Sequence, residues 1–256
     1  MPTPPALPAR PALPAYSARR TKLGRDFYDR PTLDVARDLL GKVLVHDRRG
    51  VRTSGMIVEI EAYIGESDPA CHAAPGPTLR NEPMYGKPGH AYVYLNYGIH
   101  CLVNIVTESP GSPAAVLLRA IDPIEGIDVM RRRRGRTMKG RRTPVNGNGL
   151  ATHDLARGPG NLTMAMGITL AENRVDLCGD RLFLEDRGVT IGALSWGTRI
   201  GIRVGTERPW RAWIAAHPAV SRNGTGVSRG SDPLVRNAGA TATIGVRPHG
   251  AGAPMV

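Results

Sequence analysis

The chain has 256 residues, 41% apolar and 22% charged, an ordinary balance for a soluble globular protein with a real hydrophobic core. No apolar run approaches the ~20 residues of a membrane-spanning helix, which excludes an integral membrane protein of that kind. The formal net charge of +12 favours a polyanionic partner, nucleic acid or an anionic membrane surface.

Taken in chain order, residues 1–21 open with six prolines and no acid among the first twenty, and read as a disordered arm. They contain no continuous apolar stretch of the secretory type. Pro31–Leu40 is a predicted helix, with Leu33, Ala36, Leu39 and Leu40 on one face and Gly41 as its stop. Lys42–His46 and Gly55–Ile64 are predicted strands. Ala91–Leu95 and His100–Val106 flank a short turn at Asn96-Tyr97-Gly98 and form a predicted hairpin. Ala114–Ile121 is a further strand, and Pro123–Arg133 has helical spacing. Residues 131–142 carry eight basic groups and no acid, so most of the net charge sits there. That run is either a solvated loop or a phosphate contact. Pro159–Met166 is a short helix ended by Gly167. Leu182–Glu185 and Thr198–Ile202 are late strands. The tail, 221–256, is rich in Gly and Ala and reads as disordered. The expected organisation is one folded domain, 22–220, of the α+β (mixed α/β) class with a mostly antiparallel sheet.

Three scattered cysteines make no disulfide framework, and a reducing cytoplasm is the default compartment. There is no C-x-x-C and no H-E-x-x-H, so neither a metal nor a cofactor is expected.

The segment that carries chemistry is Gly55–Gly65, G-M-I-V-E-I-E-A-Y-I-G. Alternation along a strand sends Met56, Val58, Ile60 and Ala62 one way and Ile57, Glu59, Glu61 and Tyr63 the other. Two carboxylates on one strand face are either a solvated, salt-bridged surface or a catalytic acid–base group in a cleft. Arg119 lies in an apolar strand and wants an acid partner or a bound anion, and Glu61 is the partner of choice. Five of the seven tyrosines fall between residues 63 and 97. Tyr97 at a hairpin tip has no core reason to be there; stacking on bases or wedging into a duplex fits better. Tyr92 and Tyr94 share a strand face, where cross-strand packing is the plain alternative. His72 lies in a loop and Asn104 on the second hairpin strand. Cys71, beside His72, is read as a small buried filler.

These residues sit in segments that resemble the methylpurine (3-methyladenine, alkyladenine) DNA glycosylase family. The carrying stretches are 25–44, 58–73 (V-E-I-E-A-Y-I-G-E-S-D-P-A-C-H-A), 81–108, 115–134 and 158–168, in the family's order. The resemblance implies a single mixed α/β domain with a curved antiparallel sheet, surrounding helices and a protruding hairpin. It implies that Glu61 is the carboxylate that activates water, and that Arg119 helps hold that water. Tyr63, His72 and Tyr94 become the walls of a base pocket, and Asn104 the residue that crowds the 2-amino group of guanine. Tyr97 becomes the side chain that fills the gap left by a flipped nucleotide. The implied partner is double-stranded DNA containing damaged purines, acted on by a monomer in the cytoplasm at the nucleoid. Family members usually carry basic residues about where Pro75 and Pro77 stand, which bears on DNA affinity more than on chemistry.

The chemistry is consistent on physical grounds. Breaking an N-glycosidic bond develops positive charge on the sugar, which a carboxylate stabilises while activating water. Duplex DNA hides that bond, so the base must be flipped out. No lysine stands in the constellation, so hydrolysis without a Schiff base or strand cleavage is expected. A non-enzymatic wedge protein would explain the charge and Tyr97 but leave Glu59, Glu61 and Arg119 without a role. A sugar hydrolase with paired carboxylates is excluded, because Glu59 and Glu61 stand side by side and cannot flank a bond.

Overall fold

The computed structural model describes residues 20–135 and 149–221. The expected arm and tail lie almost wholly outside the described residues, as does the second half of the basic run. Among the described residues nine strands form one sheet: β1 (Thr21–Lys22), β2 (Val43–Arg48), β3 (Val51–Ile64), β4 (Ala91–Asn96), β5 (His100–Val106), β6 (Ala114–Glu125), β7 (Leu182–Asp186), β8 (Leu194–Gly197) and β9 (Arg211–Ile214). The main path runs β1-β7-β2-β3-β6-β5-β4, and every pairing of named strands is antiparallel. With α1 (Arg25–Tyr28), α2 (Thr32–Leu39), α3 (Ile127–Arg134) and α4 (Pro159–Met166), this is an α+β fold.

β3 is the axis of the sheet. β6 pairs along most of its length on one edge. The other edge is shared: β2 takes Val51–Met56 and β9 takes Glu59–Glu61. α2 packs on β3 and β6, and α4 packs on β5 and β6. Residues 53–62 are therefore buried without interruption, so of the two alternatives for this strand the solvated face is excluded. Both faces of β3 are covered, and period-2 alternation no longer separates inside from outside.

Three expectations change. Thr198–Ile202 lies in the loop between β8 and β9, whereas the other expected late strand, Leu182–Glu185, forms as β7. β6 continues to Glu125, so the helix starts only at Ile127. Gly126 makes that switch at φ +72°, where a Cβ would lie 2.5 Å from the carbonyl oxygen of Arg52. The described part of the basic run is not a solvated loop. Arg131 donates to the carbonyl of Leu150 at 2.6 Å, Arg133 to that of Ala165 at 3.0 Å, and Arg134 to those of Asp154 and Leu155. Three arginines thus staple α3 to the segment around Leu150–Leu155 and to the C-terminal turn of α4, whose carbonyls lack helical donors.

Gly126→Ala combines left-handed strain of about 1–2 kcal/mol with a backbone clash. It should lower unfolding free energy by about 2 kcal/mol or more, read as a reduced midpoint in urea at unchanged m-value.

Candidate active site

Glu59, Glu61 and Tyr63 come from β3, and Arg119 comes from β6 facing it. The ladder between the two strands is irregular at that point. Ile57 pairs with Ile121, Glu59 with Ala120 and Ile60 with Leu118, which leaves Val58 and Arg119 without opposite numbers. Such bulges re-aim side chains beside functional sites. Here the guanidinium is brought between two carboxylates: Arg119 Nε donates to Glu59 Oε1 at 3.0 Å, and Nη1 lies 3.1 Å from Glu61 Oε1. The expected partner of Arg119 was Glu61 alone; it has both.

The two carboxylates have different surroundings. Glu59 is saturated. Besides Arg119 it accepts from Arg211 Nε at 2.8 Å, from the Ser221 backbone N–H at 2.7 Å and from the Ser221 hydroxyl at 2.8 Å. Glu61 lines a cavity of about 370 Å³. Its Oε1 also accepts from the Ile200 N–H at 2.6 Å, and its Oε2 accepts from the Tyr63 hydroxyl at 2.9 Å. Burial pushes the Glu61 carboxyl above its usual range, against the pull of Arg119, the Ile200 N–H and the Tyr63 hydroxyl. Burial also works against the charge on Arg119, but Glu61 and Glu59 outweigh it and keep the guanidinium protonated.

The cavity brings together all seven side chains singled out in the sequence. Glu61, Tyr63, His72, Tyr94, Tyr97, Asn104 and Arg119 all line it. His72 and Tyr94 meet edge to face, with ring centres 4.5 Å apart. Burial and the nearby Arg80 lower the His72 pKa, so its ring is neutral at pH 7. Asn104 is buried, with one amide hydrogen on the Tyr92 carbonyl at 3.0 Å. Cys71 is buried as expected, and its thiol is pushed up to about 11 by burial, which leaves it inert.

Tyr97 occupies the hairpin tip with 88% of its surface exposed. Its φ is +49° and that of Gly98 is +68°, and the Ile99 N–H closes the turn on the Asn96 carbonyl at 3.0 Å. Positive φ at both central positions suits a tight hairpin turn. Glycine takes that conformation freely. A tyrosine there is strained, and its ring has no packing to offset the strain.

Several residues that build the site were given no place in it by the sequence. Tyr92 is buried and its hydroxyl bonds His72 Nδ1 at 2.8 Å. Ile200 contributes a backbone donor, which no side-chain pattern announces. Arg199 and Asp68 form a fully buried bidentate pair, at 2.5 and 2.8 Å. Arg199 also donates to the Ala62 carbonyl and lies over the rings of Tyr63 and Trp210. The pair joins the loop that carries Ile200 to the loop that leads to His72. An arginine inside a predicted strand and an aspartate in a loop gave no sign of meeting across 131 residues.

Comparison with known proteins accords with this geometry. The model of the methylpurine-DNA glycosylase family matches residues 26–218. The chain belongs to the methylpurine-DNA glycosylase family. A protein of Methanocella arvoryzae is 48% identical over 208 residues, covering 80% of this chain and 98% of its own. One of Chlorobium phaeobacteroides is 47% identical over 196 residues, 76% of this chain and 92% of its own. One of Alkaliphilus oremlandii is 44% identical over 206 residues, 78% and 99%. All three carry names of 3-methyladenine DNA glycosylases. Family membership makes this chain a DNA glycosylase, a hydrolase of N-glycosyl bonds. Among its described residues no helix is long and apolar enough to cross a membrane.

Asp68→Ala would leave the Arg199 guanidinium buried without its carboxylate. It should cost about 3–5 kcal/mol of stability, visible as a large fall in the denaturant midpoint.

Proposed function

We propose that this glycosylase flips damaged purines out of duplex DNA and hydrolyses their N-glycosidic bond with a water activated by Glu61. The substrate class is 3-methyladenine, 7-methylguanine, hypoxanthine and ethenoadenine. The observation that carries the reading is the contrast between the two glutamates. Glu59 is saturated by structural donors, whereas Glu61 is a buried carboxylate on the wall of a cavity that tyrosines and a histidine line. A cavity of this size falls in the range that takes a small aromatic ligand.

In this reading the extruded base lies among Tyr63, His72 and Tyr94. A cationic alkylated purine is held there by its attraction to ring faces. The sugar C1′ then comes next to Glu61. Glu61 takes a proton from water, the water oxygen bonds C1′, and the electron pair of the C1′–N bond leaves with the base. An alkylated purine carries positive charge, so it leaves as a neutral molecule. The raised pKa of Glu61 makes its carboxylate a stronger base than a solvated glutamate, and Arg119 opposes that rise. When the Tyr92 hydroxyl donates to His72 Nδ1, the ring proton sits on Nε2, a donor for an acceptor on the base edge. Asn104 crowds a 2-amino group and so disfavours undamaged guanine. Tyr97 fills the space that the nucleotide vacates, which offsets part of the unstacking cost.

Two experiments test the reading. Wild-type protein incubated without metal should release free base from methylated duplex DNA and from a duplex carrying one hypoxanthine or ethenoadenine. Glu61→Gln should bind the same DNA and lose base release by about 100-fold or more. A Gln variant as fast as wild type would show that another group activates the water. In the second, borohydride added during turnover should trap no protein–DNA adduct; a covalent adduct would replace hydrolysis with a lyase mechanism.

A further inference from the structure

The loop after His72 has a feature that the pocket does not use. Residues 73–80 are held stiffly by Asn81, whose side chain is buried beneath them. The Asn81 amide donates to the carbonyls of His72 at 2.7 Å and Gly76 at 2.9 Å. Its Oδ1 accepts from the Thr78 N–H at 2.6 Å. Pro75 and Pro77 fix two further φ angles. On this rigid platform Leu79 is 98% exposed. The next residue, Arg80, places its guanidinium 5.4 Å from the ring centre of Tyr94, a wall of the pocket. Leu79 is thus the immediate chain neighbour of a side chain that reaches the pocket wall.

Single exposed leucines are ordinary. The distribution here is not. Seven large apolar side chains are exposed among the described residues, and five of them, Leu79, Leu95, Tyr97, Ile99 and Val204, lie on three segments. Those segments are the hairpin and the loop that carries Ile200, which supply walls of the cavity, and the loop after His72, whose Arg80 lies over the ring of Tyr94. Residues 73–81 hold one cation and no acid, so this loop can approach DNA but neutralises few phosphates. Its contact with DNA has to be chiefly apolar. Leucine and proline are side chains that wedge against base steps in the minor groove.

We propose that Leu79 is a second apolar probe of the DNA minor groove, pressed against the duplex beside the nucleotide that Tyr97 displaces. This rests on the reading of the site as one that extrudes a purine. The loop holds Leu79 in place before binding, so little ordering is needed when DNA arrives.

The test compares methylated duplex DNA with the same DNA denatured to single strands. Leu79→Ala should lower kcat/KM for base release from the duplex about tenfold, the scale of one truncated apolar contact. Release from single strands should stay at the wild-type rate, because no duplex has to be opened. The slope of duplex binding against salt should not change. Leu79→Met should recover most of the loss. Leu79 is almost wholly exposed, so the thermal midpoint of both variants should match wild type. An unchanged duplex rate, an equal loss on single strands, or a shallower salt slope would overturn the inference and leave the glycosylase reading standing. A wild-type protein that releases no base from either DNA would sink both.

Discussion

A buried carboxylate survives in a protein only if other groups replace most of its hydration. At Glu61 the replacements are one cation and two hydrogen-bond donors: Arg119, the Ile200 N–H and the Tyr63 hydroxyl. Each comes from a different part of the fold. Arg119 is on β6, Tyr63 is on β3 itself, and Ile200 is in the loop between β8 and β9. The cavity wall can hold a buried base only because these three segments meet there. Glu59 completes the arrangement from behind. It gives Arg119 a second negative neighbour, so the guanidinium stays charged although buried.

The irregular ladder between β3 and β6 is what allows this. In the register of the flanking pairs Arg119 would stand opposite Glu59; the bulge releases it from that pairing, and its guanidinium reaches both acids. Two opposed bulges cancel in register overall and displace only Val58 and Arg119. The core on either side stays intact, because Ile57–Ile121 and Ile60–Leu118 remain paired apolar partners. Two of the three register shifts in this ladder fall at the point of chemistry, as expected where function overrides regular pairing; the third is at Ser54/Gly55. The strained Tyr97 at the hairpin tip is a second such point.

Much of this was legible in the sequence, for physical reasons that differ by element. The hairpin was readable because alternation and a Gly-containing turn coincide in 91–106. The chemistry of 55–65 was readable because two acids and a tyrosine are out of place in an apolar strand. The α+β class followed from strand patterns flanked by short helices. What was not readable is what depends on distant partners. β9 carries arginine and tryptophan, and nothing local says that it pairs with β3 at the buried glutamates. Thr198–Ile202 reads as a strand by composition, yet its backbone is turned aside to give Ile200 to Glu61 and Arg199 to Asp68. The arginines of 131–134 look like a free charge run; the carbonyls that bind them lie about 20 to 30 residues ahead. Composition records charge and leaves open where it is used.

The measurement closest to the central claim is the pH dependence of single-turnover base release by the wild-type protein. The active form of Glu61 is the ionised one, and burial raises its pKa above the usual value of 4.5. The rate should therefore fall as pH is lowered, along an acid limb whose midpoint lies above that value. The limb should be absent from the residual rate of Glu61→Gln. A wild-type rate that stays level through the carboxylate range, or the same acid limb in both proteins, would contradict the assignment of Glu61 as the base.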